Sequence, residues 1–299
     1  MRFRVLWASL FISLGWIGSA ARADDAADEK RYSTVKLIDP GVPAADRQAT
    51  FEYFDKKALA GNTYAQYLIG SLYRIGNGLP GNVVAQDLDK ANKYLSTAAA
   101  HGHVRAMAKM AELELSQKRY LEAMIWAQLF GYYAGLDGAD AKTIRDSSES
   151  DYLADLIGRI SARFDPNQMP TVQEDVKAVI AAHDADIRKG MASPTSWGTS
   201  QGKMQPRSSS RRHAVAPPHP AGSEFRDVLA DYLIAFDAKG DATDAWLMDA
   251  VPDIALGKAL KSVALSTAIN PAENGSTEPR YAFQPINFSW GRYRLRPQK

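Results

Sequence analysis

Residues 231–290 have the most informative pattern in the chain and read DYLIAFDAKGDATDAWLMDAVPDIALGKALKSVALSTAINPAENGSTEPRYAFQPINFSW. Two apolar runs, residues 232–236 and 245–251, flank a polar turn that contains Gly240. Apolar runs supply the packing of a pleated sheet, and glycine tolerates the positive φ of a tight turn. This first half of the stretch therefore predicts a β-hairpin.

The second half of the stretch predicts a helix and a further strand. Asp253 is placed to cap a helix, and the apolar residues within 256–267 recur at helical spacing. Asn270-Pro271 ends that helix, because a proline disfavours the α conformation of the residue before it. Residues 281–290 are mostly apolar and predict a last strand. The order strand, strand, helix, strand predicts a small α+β (ββαβ) domain.

Five short segments in this stretch occur in a characteristic order. They are FDAKG at 236–240, TDA at 243–245, ALKSV at 259–263, PAENG at 271–275 and PINF at 285–288. In this order they resemble the C-terminal domain of TonB-type energy transducers, and the resemblance covers about 224–290. An unrelated small ββαβ domain is the alternative interpretation.

The last strand has the features of a sheet edge. Pro285 lies inside it, and a proline has no N–H to donate to a strand partner, so it is tolerated at an edge. An edge strand accepts an extended peptide through main-chain hydrogen bonds. The resemblance implies that such a peptide comes from an outer-membrane receptor. The predicted partner-binding residues are Tyr281, Phe283, Gln284, Pro285, Ile286 and Phe288.

A second informative segment, residues 60–106, has small and aromatic residues at regular spacings. The signature positions are Gly70, Tyr73, Gly76, Gly78, Ala91, Ala98, Ala99 and Gly102. They resemble a Sel1-like repeat, a helix-turn-helix relative of the tetratricopeptide repeat. Small residues let the two helices approach closely, and the glycine loop reverses the chain without Cβ strain.

A degenerate second repeat follows, since Ala91 and Tyr94 recur 32 positions later as Ala123 and Trp126. Two further helices, at 152–164 and 172–187, are expected to close the array. We therefore predict a mainly α helical-repeat (Sel1/TPR-like) domain over 49–191, with the repeats at about 49–140, and a small α+β domain over 224–299.

The N-terminal region has the features of a secretory signal peptide. Arg2 and Arg4 precede an apolar run of about 16 residues that ends near small residues, and this predicts a signal peptide over 1–23. An uncleaved membrane anchor is the alternative. Residues 24–48 are interpreted as a polar lead-in. Cysteine is absent, so a secreted chain of this kind depends on core burial for its stability.

Two other segments are too polar to build a core. Residues 192–223 are rich in Pro, Ser, Gly and Arg and are predicted to be a disordered linker. The last domain ends in a basic tail in which Arg292, Arg294 and Arg296 alternate. This tail is interpreted as a solvated segment or, alternatively, as a contact for anionic lipid or an acidic partner.

The sequence contains no recognisable catalytic or metal-binding motif. It has no cysteine and no G-x-S-x-G, Walker-type or H-E-x-x-H pattern. His101-Gly102-His103 is interpreted as a solvent-facing turn rather than a metal site. Tyrosines are interpreted as helix packing, with a recognition surface as the alternative; they are Tyr64, Tyr67, Tyr73 and Tyr94. We expect no enzymatic activity, no cofactor and no metal.

These features together predict a binding protein. We expect a periplasmic TonB-like protein that binds envelope proteins through the β-edge and the helical array, with energy-coupled outer-membrane transport as one hypothesis. The alternative is a Sel1-repeat adaptor in envelope assembly or signalling that takes no part in transport. A net charge of +2 argues against nucleic acid as the main partner. Membrane contact is expected only through an uncleaved N-terminus or the basic tail.

Overall fold

The computed structural model describes residues 31–135, 148–192, 206–207, 226–271 and 278–289. These residues are mostly helical, with a small three-stranded antiparallel sheet. The helices are α1 (Thr34–Ile38), α2 (Ala44–Leu59), α3 (Thr63–Ile75), α4 (Leu88–Ala100), α5 (Val104–Ser116), α6 (Tyr120–Tyr133), α7 (Ser148–Ser161), α8 (Met169–Ala192), α9 (Ile254–Ala259) and α10 (Lys261–Leu265). The strands are β1 (Pro206–Arg207), β2 (Val228–Phe236), β3 (Ala242–Val251), β4 (Ala268–Ile269) and β5 (Arg280–Phe288).

Helices α3 and α4 form a closely packed hairpin, as the spacing of small residues predicts. A Cβ atom on Gly70 would lie 2.8 Å from Cγ of Leu95, so only glycine lets these two helix surfaces meet. Gly76 has φ = 55° in the short turn Gly76–Gly78 that begins the connection between the helices. On the facing side of α4, small side chains are fully or almost fully buried; they are Ala91, Ala98 and Ala99.

Helices α5 and α6 form the second hairpin, and α7 and α8 pack on α6. Ala123 is fully buried, as is Ala91 32 residues earlier. Helix α8 reaches back to the loop between α4 and α5, where Gly102 and Gly190 allow close backbone contact. The helical half of the fold is thus present, whereas its membership of the Sel1-like family stays a prediction.

The polar lead-in predicted over 24–48 is wrong for the part that the structure describes. Residues Thr34–Ile38 form α1, and α2 begins at Ala44, before the predicted domain start at residue 49. Leu37 is fully buried and packs with Phe51 and Phe54 of α2. Three apolar residues within five positions are too few to show a helical period in the sequence, which explains why this short helix was not predicted.

The sheet has β2 at its centre, in the order β3-β2-β5, and both of its faces are covered. All nine residues of β2 are buried. Side chains alternate along a strand, so Tyr232 and Ile234 pack beneath α9 and α10, whereas Leu229 and Leu233 pack against the helical array. Helices α3 and α5 contact β3 directly. The small α+β domain and the helical domain therefore form one packed structure.

The single amphipathic helix predicted for 256–267 is two short helices, α9 and α10, separated at Leu260. Asp253 caps α9 as predicted, because its side chain accepts a hydrogen bond from the N–H of Ala255 at 2.8 Å. Asn270-Pro271 does not end the helix, since α10 already ends at Leu265 and β4 follows.

Strand β4 pairs with β1, which lies inside the segment predicted as a disordered linker. Pro206 and Arg207 are therefore in regular structure, in contrast to that prediction. The rest of the linker lies outside the described residues, as do the signal peptide at 1–23, most of the turn at 271–275 and the basic tail with Arg292, Arg294 and Arg296. In the described part of the chain, no helix combines the length and apolarity that a membrane span requires.

A β-bulge at Met248 changes which side chains of β3 face the helices. Asp231 is paired with Asp249, whereas the next residue, Tyr232, is paired with Leu247, so Met248 is the extra residue. Trp246 and Asp249 are three positions apart and would lie on opposite faces of a regular strand. The bulge allows both to face the helical array, where Trp246 packs in the core and Asp249 meets cations.

Candidate functional site

The inner face of the sheet carries two fully buried carboxylates. Asp231 lies in the middle of β2 and Asp249 on β3, each with 0% of its surface exposed. They are directly paired across the two strands. Two neighbouring negative charges out of contact with water are stable only if cations and hydrogen-bond donors surround them.

The helical array supplies three cations to these carboxylates. Lys109 of α5, itself only 1% exposed, places Nζ 2.7 Å from Asp231 Oδ2 and 2.6 Å from Asp249 Oδ2. Arg105, one turn earlier, places Nε 2.7 Å from Asp231 Oδ1. Arg74 of α3 pairs with Asp249 and donates to the carbonyl of Ala250 at 2.6 Å. These five charged residues are the ionic cluster.

Two rings form one wall of the ionic cluster. The hydroxyl of Tyr67 donates to Asp231, and Nζ of Lys109 lies 3.9 Å from the centre of the Tyr67 ring. His103 stacks on the Tyr67 ring, with 3.7 Å between the centres of the two rings. Tyr67 therefore packs in the contact between helices and sheet. The alternative interpretation, in which this tyrosine forms part of a recognition surface, is excluded for Tyr67 because β2 covers it.

The pKa values show which charges the cluster holds at neutral pH. Burial alone raises the pKa of Asp231, but the positive charges of Arg105 and Lys109 outweigh this effect and hold it well below its usual value. Burial lowers the pKa of Lys109 against the attraction of both carboxylates. Burial and the charge of Lys109 lower the pKa of His103 to about 3. Burial also raises the pKa of Asp249, but its two cationic neighbours hold it below its usual value. Both carboxylates are therefore ionised at neutral pH, and His103 is neutral.

A second ionic group continues from α5 towards α7. Glu112 accepts from the hydroxyl of Tyr152 at 2.8 Å and from Nη1 of Arg159 at 2.7 Å. Arg159 also contacts Asp155 at 2.8 Å, and Arg226, just before β2, reaches Asp155 at 3.2 Å. The ion pairs between α5 and α7 thus continue, through Asp155, to Arg226 in the segment that precedes β2.

Arg105 connects the ionic cluster with the outer strand β5. Its Nη1 donates to Oδ1 of Asn287 at 2.9 Å, and its Nη2 donates to the carbonyl of Ala230 at 3.2 Å. The amide of Asn287 in turn donates to Glu149 of α7 at 3.1 Å. Strand β5 is consequently held by side chains from two helices as well as by its ladder with β2.

The six residues predicted to bind a partner all lie on β5, an outer strand of the three-stranded sheet, but they do not form one exposed surface. Ile286 is only 7% exposed and packs beneath α9 and α10, and Phe288 packs partly beside it. Tyr281 and Phe283 pack partly on the other face, against the core of the helical array. Gln284 is half-buried and Pro285 is exposed. This distribution follows from the alternation of side chains in a sheet that is covered on both faces.

The repeat-signature residues have packing roles. Tyr73 stacks on Tyr94 with ring centres 6.2 Å apart, and Lys90 lies over Tyr73. The turn His101-Gly102-His103 is not wholly solvent-facing as predicted, because His103 is buried. In the described ranges, no three His, Cys, Asp or Glu side chains are grouped as a metal site would require.

Sequence reasoning missed the ionic cluster, although the sequence contains a signal for it. Asp231 stands inside VLADYLIAF, Asp249 inside WLMDAV and Lys109 inside AMAKMA. When an apolar run is buried in the core, a single charged residue within it is buried as well. A buried charge requires a partner of opposite charge or a hydrogen-bond donor or acceptor. The pattern therefore predicts partners for each charge, but not their identity.

The ionic cluster has the residue types of an active site without the access that catalysis requires. Its central groups, Lys109, Asp231 and Asp249, are at most 1% exposed, and each carboxylate already contacts two cations. A substrate has no route to these atoms in this conformation. The arrangement acts as a structural connection between helices and sheet, and the absence of enzymatic activity stays a prediction.

Comparison with protein-family models, curated proteins and solved structures found no match for this chain. The likeness of residues 231–290 to TonB-type domains and of residues 60–106 to Sel1-like repeats therefore depends on their sequence motifs alone. Function is inferred from the geometry of the described residues.

We expect Lys109→Met to lower the free energy of unfolding by about 3–5 kcal/mol, because it leaves two buried carboxylates facing each other. Urea unfolding at pH 7 measures this change. Lys90→Met is the matched control, since Lys90 pairs with Asp87 at the surface, and it should leave the unfolding midpoint nearly unchanged. Adding Asp231→Asn and Asp249→Asn to Lys109→Met should recover part of the loss. Equal midpoints for the two lysine variants would contradict a structural role for the cluster.

We expect stability to fall as the pH is lowered from 6.5 towards 3 because of His103. Its pKa is about 3 in the folded chain and about 6.5 when unfolded, so protons bind preferentially to the unfolded state in this window. The loss reaches about 2 kcal/mol at pH 5. Urea unfolding at pH 7 and pH 5 tests this, with His103→Phe as the variant that keeps a stacked ring without titrating. A pH dependence as steep in His103→Phe as in the wild type would exclude His103 as its source.

Proposed function

We propose that this protein is a non-catalytic docking protein of the cell envelope that captures an extended segment of a partner along β5. The observation that carries this proposal is the position of β5 in the sheet. It pairs with β2 on one side, and among the described residues no strand pairs along its other side. Such an edge presents main-chain donors and acceptors to an added strand, except that Pro285 has no N–H to donate.

Strand β5 is a better template for an added strand than β3, the other outer strand. Its nine residues pair with β2 without a register shift. The ladder between β3 and β2 has two irregularities, one of them the bulge at Met248, and α9 and α10 both contact β3. Bulges and covering helices are features that keep an edge from accepting another strand.

The side-chain contacts that hold β5 in place also suit a docking role. Arg105 and Glu149 hold Asn287 from the helical side, and Ile286 anchors the strand in the core beneath α9 and α10. A partner strand would therefore meet an edge that is already ordered. Pre-ordered edges bind more tightly because less conformational entropy is lost on association.

The sequence resemblances point to the compartment and the kind of partner. The likeness to TonB-type domains suggests a periplasmic location and an envelope protein as partner, and the likeness to Sel1-like repeats suggests a second contact on the helical array. Of the two hypotheses, the close packing of the sheet on the helices favours the adaptor over the energy transducer. A transducer domain that moves at the end of a tether would have to give up the buried contacts of Asp231 and Asp249.

A photo-crosslinking experiment tests the docking site. We expect a photoreactive phenylalanine analogue at Gln284, on β5, to give a discrete adduct in intact cells, with the cross-linked partner peptide mapping to one extended segment. The same analogue at Lys258 is the control, because Lys258 is exposed on α9, a helix whose main strand contacts are with β3 and β2. Adducts of equal yield at both positions, or none at Gln284, would remove the basis for capture along β5.

The mature N-terminus separates the adaptor from the transducer. We expect the protein isolated from the envelope to begin at about Asp24 and to be released without detergent, because cleavage leaves no anchor against which force could be applied. Edman or mass-spectrometric sequencing of the N-terminus measures this. An intact Met1 on membrane-bound protein would instead favour energy-coupled transport.

A further inference from the structure

A cavity of about 380 Å³ lies between α6, α7 and α8, away from the ionic cluster and from β5. Its walls are aliphatic. Leu153 and Ile157 of α7 form one side, and Val172, Val176 and Ile180 of α8 form the other. Concave, mostly apolar spaces of roughly 300–1,000 Å³ with a few polar groups are typical of small-molecule sites.

Small residues on α6 account for the space. Ala127 and Gly131 are four positions apart, so they lie one above the other on the same face of the helix, and both line the cavity. A Cβ atom on Gly131 would lie 2.9 Å from Cδ2 of Leu153. A larger side chain at Gly131 would push α7 away, and one at Ala127 would project into the cavity.

Among the polar residues that line the cavity, one is charged, and it is a cation. Gln128, Gln173 and Lys177 are the polar residues that line it together with Tyr132, and no carboxylate does. Lys177 is exposed, and no ion pair joins it to another described residue. Arg188 is already engaged, since it donates to the hydroxyl of Tyr132 at 3.2 Å and to Asp184 at 2.9 Å. Lys177 is therefore the cation available to a ligand.

We propose that this cavity binds a medium-chain alkyl carboxylate, with the chain between α6, α7 and α8 and the carboxylate beside Lys177. An aliphatic wall matches an alkyl chain, and a single cation beside two amides matches one carboxylate. The volume lies at the small end of the range for ligand pockets, which favours one chain over a two-chain lipid. This site is separate from β5, and capture of a partner strand does not depend on it.

Isothermal titration of the full mature chain with dodecanoate, below its micellar concentration, tests the proposal. We expect saturable one-to-one binding, weaker binding of hexanoate because less apolar surface is buried, and weaker binding of dodecylamine because its charge opposes Lys177. Failure of β5 docking would leave these results unchanged, so the two proposals are tested independently.

Two variants with matched controls on α8 locate the ligand. Val176→Phe should weaken dodecanoate binding at least tenfold by filling the cavity, whereas Ala178→Phe, at an exposed position outside the lining, should not. Lys177→Gln should weaken it roughly fivefold, the scale of one exposed ion pair, whereas Lys189→Gln should not. Helical circular dichroism verifies that each variant is folded. Absence of saturable binding, unchanged affinity in Val176→Phe, or equal affinity for dodecylamine and dodecanoate would overturn the proposal.

Discussion

The structure depends on the ammonium group of Lys109, which lies between the carboxylates of Asp231 and Asp249. Removal of each ionised group from water costs several kcal/mol, and only close opposite charges and hydrogen bonds offset this penalty. The sheet cannot supply these cations itself; they come from α3 and α5 of the helical array. The inner face of the sheet is therefore stable only in contact with the helices, and the two parts of the chain form a single structure.

This constraint determines which surfaces are left for binding. The face of the array that carries Tyr67 is covered by the sheet, so it cannot offer its aromatic residues to a partner. Strand β5 keeps one side of its backbone outside the described ladder, and Arg105 joins it to the same cluster through Asn287. The ionic cluster thus joins the sheet to the face that carries Tyr67, and through Arg105 and Asn287 it also helps to order β5.

Small residues have two different effects in the helical array. Gly70 brings two helices into direct contact, because a Cβ there would lie within 2.8 Å of Leu95. Gly131 brings α6 equally close to α7, because a Cβ there would lie 2.9 Å from Cδ2 of Leu153, and Gly131 and Ala127 also line the cavity between α6, α7 and α8. Close helix contact and the lining of an open space therefore occur at residues of the same small type.

Several local elements follow directly from neighbouring residues in the sequence. Gly240 between two apolar runs specified the hairpin, small residues at the Sel1-like spacing specified the α3–α4 pair, and Pro285 indicated an outer strand, because turn conformation, helix approach and a missing N–H are properties of neighbouring residues. Only the tertiary structure decided which charges meet. Lys109 and Asp231 are 122 residues apart, and the sequence around either residue does not predict the other as its partner. The bulge at Met248, the burial of Ile286 and the covering of Tyr67 likewise depend on the packing of the sheet against helices that lie far from it in the sequence.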